Sequence, residues 1–411
     1  MSIRVNFSAT RERPIRRGFW VVGAAVSVVA LSLAGCGSSS SSSGGGSAAK
    51  GPYHIGFTSG LTGQFGAVGQ GVRNGAQAYF DAVNASGGVN GHKIDFTALD
   101  DALDPNRGVA NMIQLVTQDH DIAVIGFHDS VVADAVAPYA AKFKVPMVAA
   151  TVDQTLVQPV LPYVYAVTVQ TADYAGSEVA MAQQLLKNHS GPVKVAVLTS
   201  SDSAGNQQWE DDVDSISKSL GWDVVDNLIA PQDAPNAAPE VTKVIAAKPD
   251  VFITALGNDP WEISAIQQMQ QAGATFPLIN YDFASWNALQ TLHSKLLYDV
   301  AAIAYGTSAA TPQFIADTTK ANVSPNAIYV NKGYLEAMII VAALKGCGYP
   351  CTGSQLEAQI NKVSISTGGM IQGGIHYSAS NHQAVSYMAG FQWTTGASAP
   401  VKVATNLKAG T

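Results

Sequence analysis

Between Tyr53 and Asn280 short β-rich runs alternate with helical stretches, and the alternation starts twice. That pattern leaves little room for anything but parallel sheets flanked by helices. The first series reads as a strand at Tyr53–Ser59, a helix at Gly69–Ala85, a strand at Lys93–Leu99 and a helix opened by Asp104-Pro105. A buried strand at Ile122–Gly126, a helix at Val131–Lys142 and a strand at Pro146–Ala150 complete it. In the first helix Val72, Ala76, Tyr79, Phe80 and Val83 recur at helical spacing, and Asn90-Gly91 marks a tight reversal before the second strand. After a linker near Pro162–Thr171 the rhythm restarts, with helices at Asp173–Lys187, Ser203–Leu220, Glu240–Ala247 and Asp259–Ala272. Strands at Val193–Thr199, Trp222–Ala230, Val251–Ala255 and Pro277–Asn280 alternate with them. A single long helix at Pro325–Lys345 and a late strand at Val385–Trp393 follow, while Thr395–Thr411 shows weak periodicity and suggests no role. The expected fold class is α/β, with two doubly wound Rossmann-like lobes. Ligands of such sheets bind outside the carboxyl ends of the strands.

The N-terminus reads as an address rather than as fold. Arg4, Arg11, Arg13, Arg16 and Arg17 precede Gly18–Leu33, an uncharged apolar run of 16 residues, short of the roughly 20 that span a bilayer. Leu33-Ala34-Gly35-Cys36 then reads as a lipoprotein cleavage box, with residues 1–35 removed and the Cys36 thiol lipidated. Arg16-Arg17-Gly18-Phe19 resembles a twin-arginine core, though Ile15 departs from its usual Ser or Thr, so the export route stays open. Residues 36–51 carry the lipidated cysteine and a Ser/Gly-rich tether with a root-mean-square reach of about 20 Å. These features place the protein outside the cell, held by lipid on the outer face of the cytoplasmic membrane.

Removing the signal leaves 376 residues, too many for one core, and 18 basic against 29 acidic side chains. With a net charge near −11 and no Lys/Arg run, nucleic acid is an unsuitable partner. Cys347-Gly-Tyr-Pro-Cys351 in an oxidising compartment predicts a local disulfide at the end of a helix. Such a short loop contributes about 2 kcal/mol in the chain-entropy picture. One cysteine pair without a nearby histidine set is a poor metal site, and no metal or cofactor is expected.

Several motifs carry chemistry only in part. Gly69-Gln-Gly71-Val-Arg-Asn-Gly75 has dinucleotide-like glycines at the wrong spacing and too far from the preceding strand. Glycines that bring a helix close to a neighbouring sheet explain it better. His128-Asp129-Ser130 holds the letters of a hydrolase triad, but consecutive residues do not line up as nucleophile, base and acid. Neither a GxSxG elbow, a Walker A sequence nor an HExxH site is present, so the protein is expected not to be an enzyme. Ser130 follows a buried strand and opens a helix, which suits either an anion site or a plain N-cap. Asp153, Asp259 and Asp282 each follow a strand, where a carboxylate either holds an ammonium group or caps a helix.

Segments spread along the chain now resemble one family. They are Gly56-Phe-Thr-Ser-Gly-Leu-Thr-Gly63, Gly71–Asn84 with Ser86-Gly-Gly-Val-Asn-Gly91, Asp100-Asp-Ala-Leu-Asp-Pro105, and Ile125-Gly126 followed by Ser130. Gly257-Asn-Asp-Pro260 and Gln271-Ala-Gly273 continue the likeness. Together they resemble the leucine/isoleucine/valine-binding receptors of ABC importers, over essentially all of Tyr53–Trp393. The resemblance implies a type I periplasmic-binding fold with a three-strand hinge. One lobe would comprise residues 52–167 plus 299–368, the other 168–298 plus 369–411. It also implies that Ser130 and adjacent backbone N–H groups such as that of Val131 bind an α-carboxylate. Thr151 and Asp153 fall where a carbonyl and a threonine help hold the zwitterion, and Asp282 where a glutamate takes the ammonium. The departures are specific. Ala204 and Asn258 stand where aromatic walls are found, Val68 aligns near a bulky first-loop residue with Phe65 close by, and Leu103 and Asp129 replace an internal disulfide.

The expectation is a monomeric receptor that closes on a small molecule, an amino acid or a related polar metabolite, and then docks on an ABC permease. Two alternatives stay open: a ligand without the amino-acid head (an amide, an aromatic acid or a nucleobase), and a sensor lipoprotein without transport.

Overall fold

The computed structural model describes residues 51–63, 66–150, 154–200, 204–231, 234–256, 259–281, 292, 294–304, 311–392 and 400–408. The targeting segment, Cys36 and the tether lie outside them.

The first series comprises β1 (Tyr53–Ser59), α1 (Gly66–Ala85), β2 (Ile94–Asp100), α2 (Pro105–Thr117), β3 (Val124–Gly126), α3 (Ser130–Phe143), β4 (Met147–Ala149) and β5 (Val164–Ala166). Its sheet has the order β2-β1-β3-β4-β5, parallel throughout. In β1 all residues but His54 are buried, as expected of a parallel strand covered on both faces. Asp104 caps α2 by accepting from the Asn106 N–H at 2.8 Å, with Pro105 at the first helical position. Val89 and His92 bridge across Asn90 and Gly91, both at positive φ (51° and 82°), which completes the tight reversal.

The second series comprises α4 (Thr171–Leu185), β6 (Lys194–Ser200), α5 (Ala204–Ser219), β7 (Asp223–Ala230), α6 (Ala238–Ala247), β8 (Val251–Thr254), α7 (Asp259–Gln271), β9 (Leu278–Tyr281) and β10 (Leu297–Ala301). Then come α8 (Pro312–Lys320), α9 (Val330–Cys347), α10 (Gly353–Ile360), a ribbon of β11 (Ser364–Ile365) and β12 (Ile375–His376), and finally β13 (Tyr387–Gln392) and β14 (Val401–Lys408). The second sheet runs β14-β13-β10-β9-β8-β6-β7, parallel from β7 to β10 and extended at one edge by antiparallel β13 and β14. Helices α8 and α9 pack on α1, beside the first sheet.

Four readings of the sequence are corrected. The stretch taken as a linker contains β5, paired with β4 at the edge of the first sheet. The long helix starts at Val330 rather than Pro325, because Tyr329 is left-handed (φ 57°) and breaks the helical path. The weakly periodic tail contains β14; an edge strand facing solvent on one side needs little apolar patterning, and only Ala404 and Leu407 of its residues are buried. The glycines of Gly71 and Gly75 serve a helix rather than a sheet. A Cβ at Gly71 would meet the Ile328 carbonyl at 1.8 Å and one at Gly75 that of Val330 at 1.9 Å, so α1 and α9 touch backbone to backbone.

The chain passes between the sheets after β5, after β10 and before β13, and hydrogen bonds tie these crossovers together. Ala166 N–H donates to the His382 carbonyl at 2.9 Å and Ala384 N–H to that of Ala166 at 3.1 Å, while Ala304 N–H donates to the Met370 carbonyl at 2.7 Å. At the far end of α9 a disulfide joins Cys347 to Cys351.

Candidate functional site

In each sheet the strand order reverses at one point, and ligands of open α/β sheets bind outside the carboxyl ends there. The first switch point lies between β1 and β3, the second between β6 and β8. The candidate residues distribute around them. Phe65 follows β1, Ser130 and Val131 follow β3, and Thr151 and Asp153 follow β4. Ala204 follows β6, Asn258 follows β8, and Asp282 directly follows Tyr281 of β9. Phe65, Thr151, Asp153, Asn258 and Asp282 lie outside the described residues, and of Ala204 only its place at the start of α5 is described.

At the first switch point the polar contacts are well defined. Ser59, the last residue of β1, and His128, two residues past β3, meet with Oγ 2.5 Å from Nδ1. Burial, helped by the nearby Lys332 cation, lowers the His128 pKa to about 4. The imidazole is therefore neutral at physiological pH, and its Nδ1 shares one hydrogen bond with the serine hydroxyl. A base that weak does not activate a serine nucleophile.

The helix after β3 corrects one expectation. Ser130 is the first helical residue and not the cap: Asp129 is the N-cap, its carboxylate accepting from the Val132 N–H at 3.0 Å. A helix start that draws anions is thus already faced by a carboxylate of its own chain. Val131 is exposed. Asp259, weighed in the sequence as a cap or an ammonium partner, begins α7.

The acidic run before α2 holds the first loop. Asp100 accepts from the Leu61 N–H at 2.8 Å and the Thr62 hydroxyl at 2.6 Å. Burial works against its ionised form, but these bonds, the Ala102 N–H and Arg107 together hold its pKa below the ordinary value. Asp101 accepts from the Thr58 hydroxyl at 2.9 Å and the Leu103 N–H at 3.0 Å; there burial prevails and raises its pKa.

At the second switch point Asn206 on α5 donates its Nδ2–H to Ser200 Oγ at 2.6 Å, which fixes the helix start to the end of β6. Glu262, wholly buried on the first turn of α7, accepts from Asn280 Nδ2 of β9 at 3.1 Å. That bond ties the helix following Asn258 to the strand preceding Asp282. Ser59, Asn206 and Glu262 were not singled out from the sequence. Their partners lie 69, 6 and 18 residues away, and only the strand ends of Ser59 and Ser200 hinted at a role.

Among the described residues no group of three or more His, Cys, Asp or Glu is arranged to hold a metal ion. Nor is any described helix long and apolar enough to cross a membrane.

Comparison with known proteins places this architecture. The chain is similar in structure to the branched-chain amino acid transporter substrate-binding protein LivJ of Streptococcus pneumoniae, solved with isoleucine. The TM-score is 0.71 at 20% identity, over 86% of this chain and 99% of that one. A solute-binding protein of an ABC transporter from R. palustris, solved with benzoate, gives a TM-score of 0.72 at 16% identity, over 87% and 97% of the two chains. In sequence, a stretch of 72 residues is 40% identical to an amino acid binding protein of Pseudomonas aeruginosa. Another of 56 residues is 43% identical to the Leu/Ile/Val-binding protein BraC3 of Rhizobium johnstonii. These stretches span 19% and 15% of the respective relatives. The pattern of the family described as periplasmic binding protein matches residues 52–398. With the two doubly wound sheets and their crossovers, that match makes the chain a member of the periplasmic binding protein family, with the type I fold.

Proposed function

We propose that this protein is the extracytoplasmic solute-binding lipoprotein of an ABC importer, anchored through Cys36, which captures an amino acid or a related small polar metabolite. The observation that carries the reading is the distribution of the candidate residues over loops at the carboxyl ends of strands in both sheets, around both switch points. A ligand contacting both sets at once favours a closed arrangement of the lobes and shifts the population towards it. The lobes follow the boundaries read from the sequence, with the second crossover moved to follow β10 at Ala301. In this mechanism Ser130, Thr151 and Asp153 act from one lobe and Asn258 and Asp282 from the other. The closed form then docks on a membrane permease.

One observation favours a second reading, a ligand lacking the amino-acid head. The Asp129 carboxylate at the start of α3 disfavours a ligand carboxylate at that point.

A thermal-shift screen of the full chain against amino acids, amines, amides, aromatic acids and nucleobases tests both. Ligand at 100 times its Kd adds about 2.7 kcal/mol to the folded state, enough for a clear rise in Tm. A hit with an amino acid that Asp282→Ala abolishes supports the clamp. A hit only with amine-free ligands discards it, and silence across the panel argues against a receptor for small polar metabolites.

A further inference from the structure

Helix α9 meets α1 backbone to backbone at three glycines; besides the contacts of Gly71 and Gly75, a Cβ at Gly333 would meet the Val72 carbonyl at 1.8 Å. Two charged residues on its first turns, Lys332 and Glu336, are buried and share one face at a spacing of four. Charged side chains rarely go so deep without a task.

Their contacts describe one. Glu336 Oε1 accepts from the Gly126 N–H at 3.3 Å. Gly126 is the last residue of β3, at φ 110°, and Phe127 after it is left-handed at φ 51°, so the path to Ser130 leaves the sheet through two unusual backbone conformations. Such a path persists only where its surroundings hold it. Lys332 lies with Nζ 3.6 Å from the centre of the Tyr329 ring and bears electrostatically on both His128 and Glu336.

The same stretch of α9 reaches the crossovers. Asn331 donates its Nδ2–H to the Ala304 carbonyl at 3.1 Å, in the crossover after β10. Tyr377, in the crossover before β13, donates its hydroxyl to the Ala166 carbonyl at 2.8 Å at the end of β5, which ties the first and third crossovers together.

We infer that Glu336 is a positioning residue: it fixes the loop from Gly126 to Ser130 to the stretch of α9 that Asn331 fastens to the crossover after β10. Its part in ligand capture rests on the function proposed above. The bond to Gly126 is present without any ligand.

Amide hydrogen exchange of the full chain, with no ligand added, separates the two. In Glu336→Leu, which cannot accept the Gly126 N–H, exchange across residues 126–132 should quicken by tenfold or more. In Glu336→Gln, whose amide oxygen still accepts, it should stay within twofold of wild type. Glu336→Ala, which removes the acceptor without adding apolar bulk, should quicken the same loop and serves where the leucine variant does not fold. Wild-type exchange at 126–132 in both Glu336→Leu and Glu336→Ala, or acceleration spread evenly over the chain, overturns the positioning role.

Discussion

Strand β3 is only three residues long, and its two ends treat ionisable groups in opposite ways. Before it, Asp121 is 3% exposed and neither carboxyl oxygen has a hydrogen-bond partner. The side chain lies against the backbone of Gly56, with Asp119 and Asp95 nearby. After it, His128 is held by Ser59, and the Gly126 N–H by Glu336. A buried acid without partners is a plain cost of folding, whereas the groups at the switch-point end hold one another in place. Burial first, then the two neighbouring carboxylates, push the Asp121 pKa from 3.8 to about 8.

The two ends therefore respond to pH with opposite signs. Asp121 keeps its proton when folded and loses it near pH 4 when unfolded, so its contribution to stability falls as pH rises from about 4 to about 8. His128, lowered from 6.5 to about 4, is neutral when folded while the unfolded chain takes up a proton. Its contribution falls as pH drops from 6.5 to 4. Between pH 4 and 6.5 the slopes oppose; above 6.5 only that of Asp121 remains.

The largest effect expected is in Asp121→Asn, which retains the shape and removes the titration. At pH 7 it should be more stable than wild type by about 3 kcal/mol, with the gap closing towards pH 4. Urea denaturation of both proteins across that range measures it, and a gap independent of pH would mean that Asp121 is ionised in the fold and paired. A smaller effect sharpens the other side. His128→Asn should gain about 2 kcal/mol on wild type as pH falls from 6.5 to 4.5, with little change from 7 to 8. An identical pH profile in the two proteins would place a proton on the folded imidazole.

How much of this was legible beforehand follows from the range of each interaction. The two αβ series could be read because parallel strands, buried on both faces, appear as continuous apolar runs such as Val195–Leu198 and Val251–Ile253. The caps and the Asn90-Gly91 turn are set by neighbours two or three residues away. By contrast, Lys332 and Glu336 have the spacing of an ordinary surface pair. They are buried because the rest of α9 is apolar on nearly every side and α1 covers it, which no local pattern expresses. The bond from Glu336 to Gly126 spans 210 residues. Family likeness directed attention to Ser130, but the cap proved to be its neighbour, since either residue satisfies the same helix start.

The two aspartate caps make the finest test of the comparison between structural and switch-point groups. Asp104 on α2 and Asp129 on α3 do the same local work, each accepting from an N–H of the first turn, at 2.8 and 3.0 Å. By that measure Asp104→Ala and Asp129→Ala should each lose about 1 kcal/mol, read from the shift of a urea midpoint at constant slope. Their surroundings differ. Asp104 is followed by Pro105 and lies beside the first loop, whereas Asp129 directly precedes Ser130 at the reversal of strand order. If Asp129 guards the start of α3 against anions, its alanine variant should in addition gain affinity for a carboxylate such as benzoate, while Asp104→Ala should not. Equal stability losses with no difference in carboxylate binding would leave Asp129 a cap and nothing more.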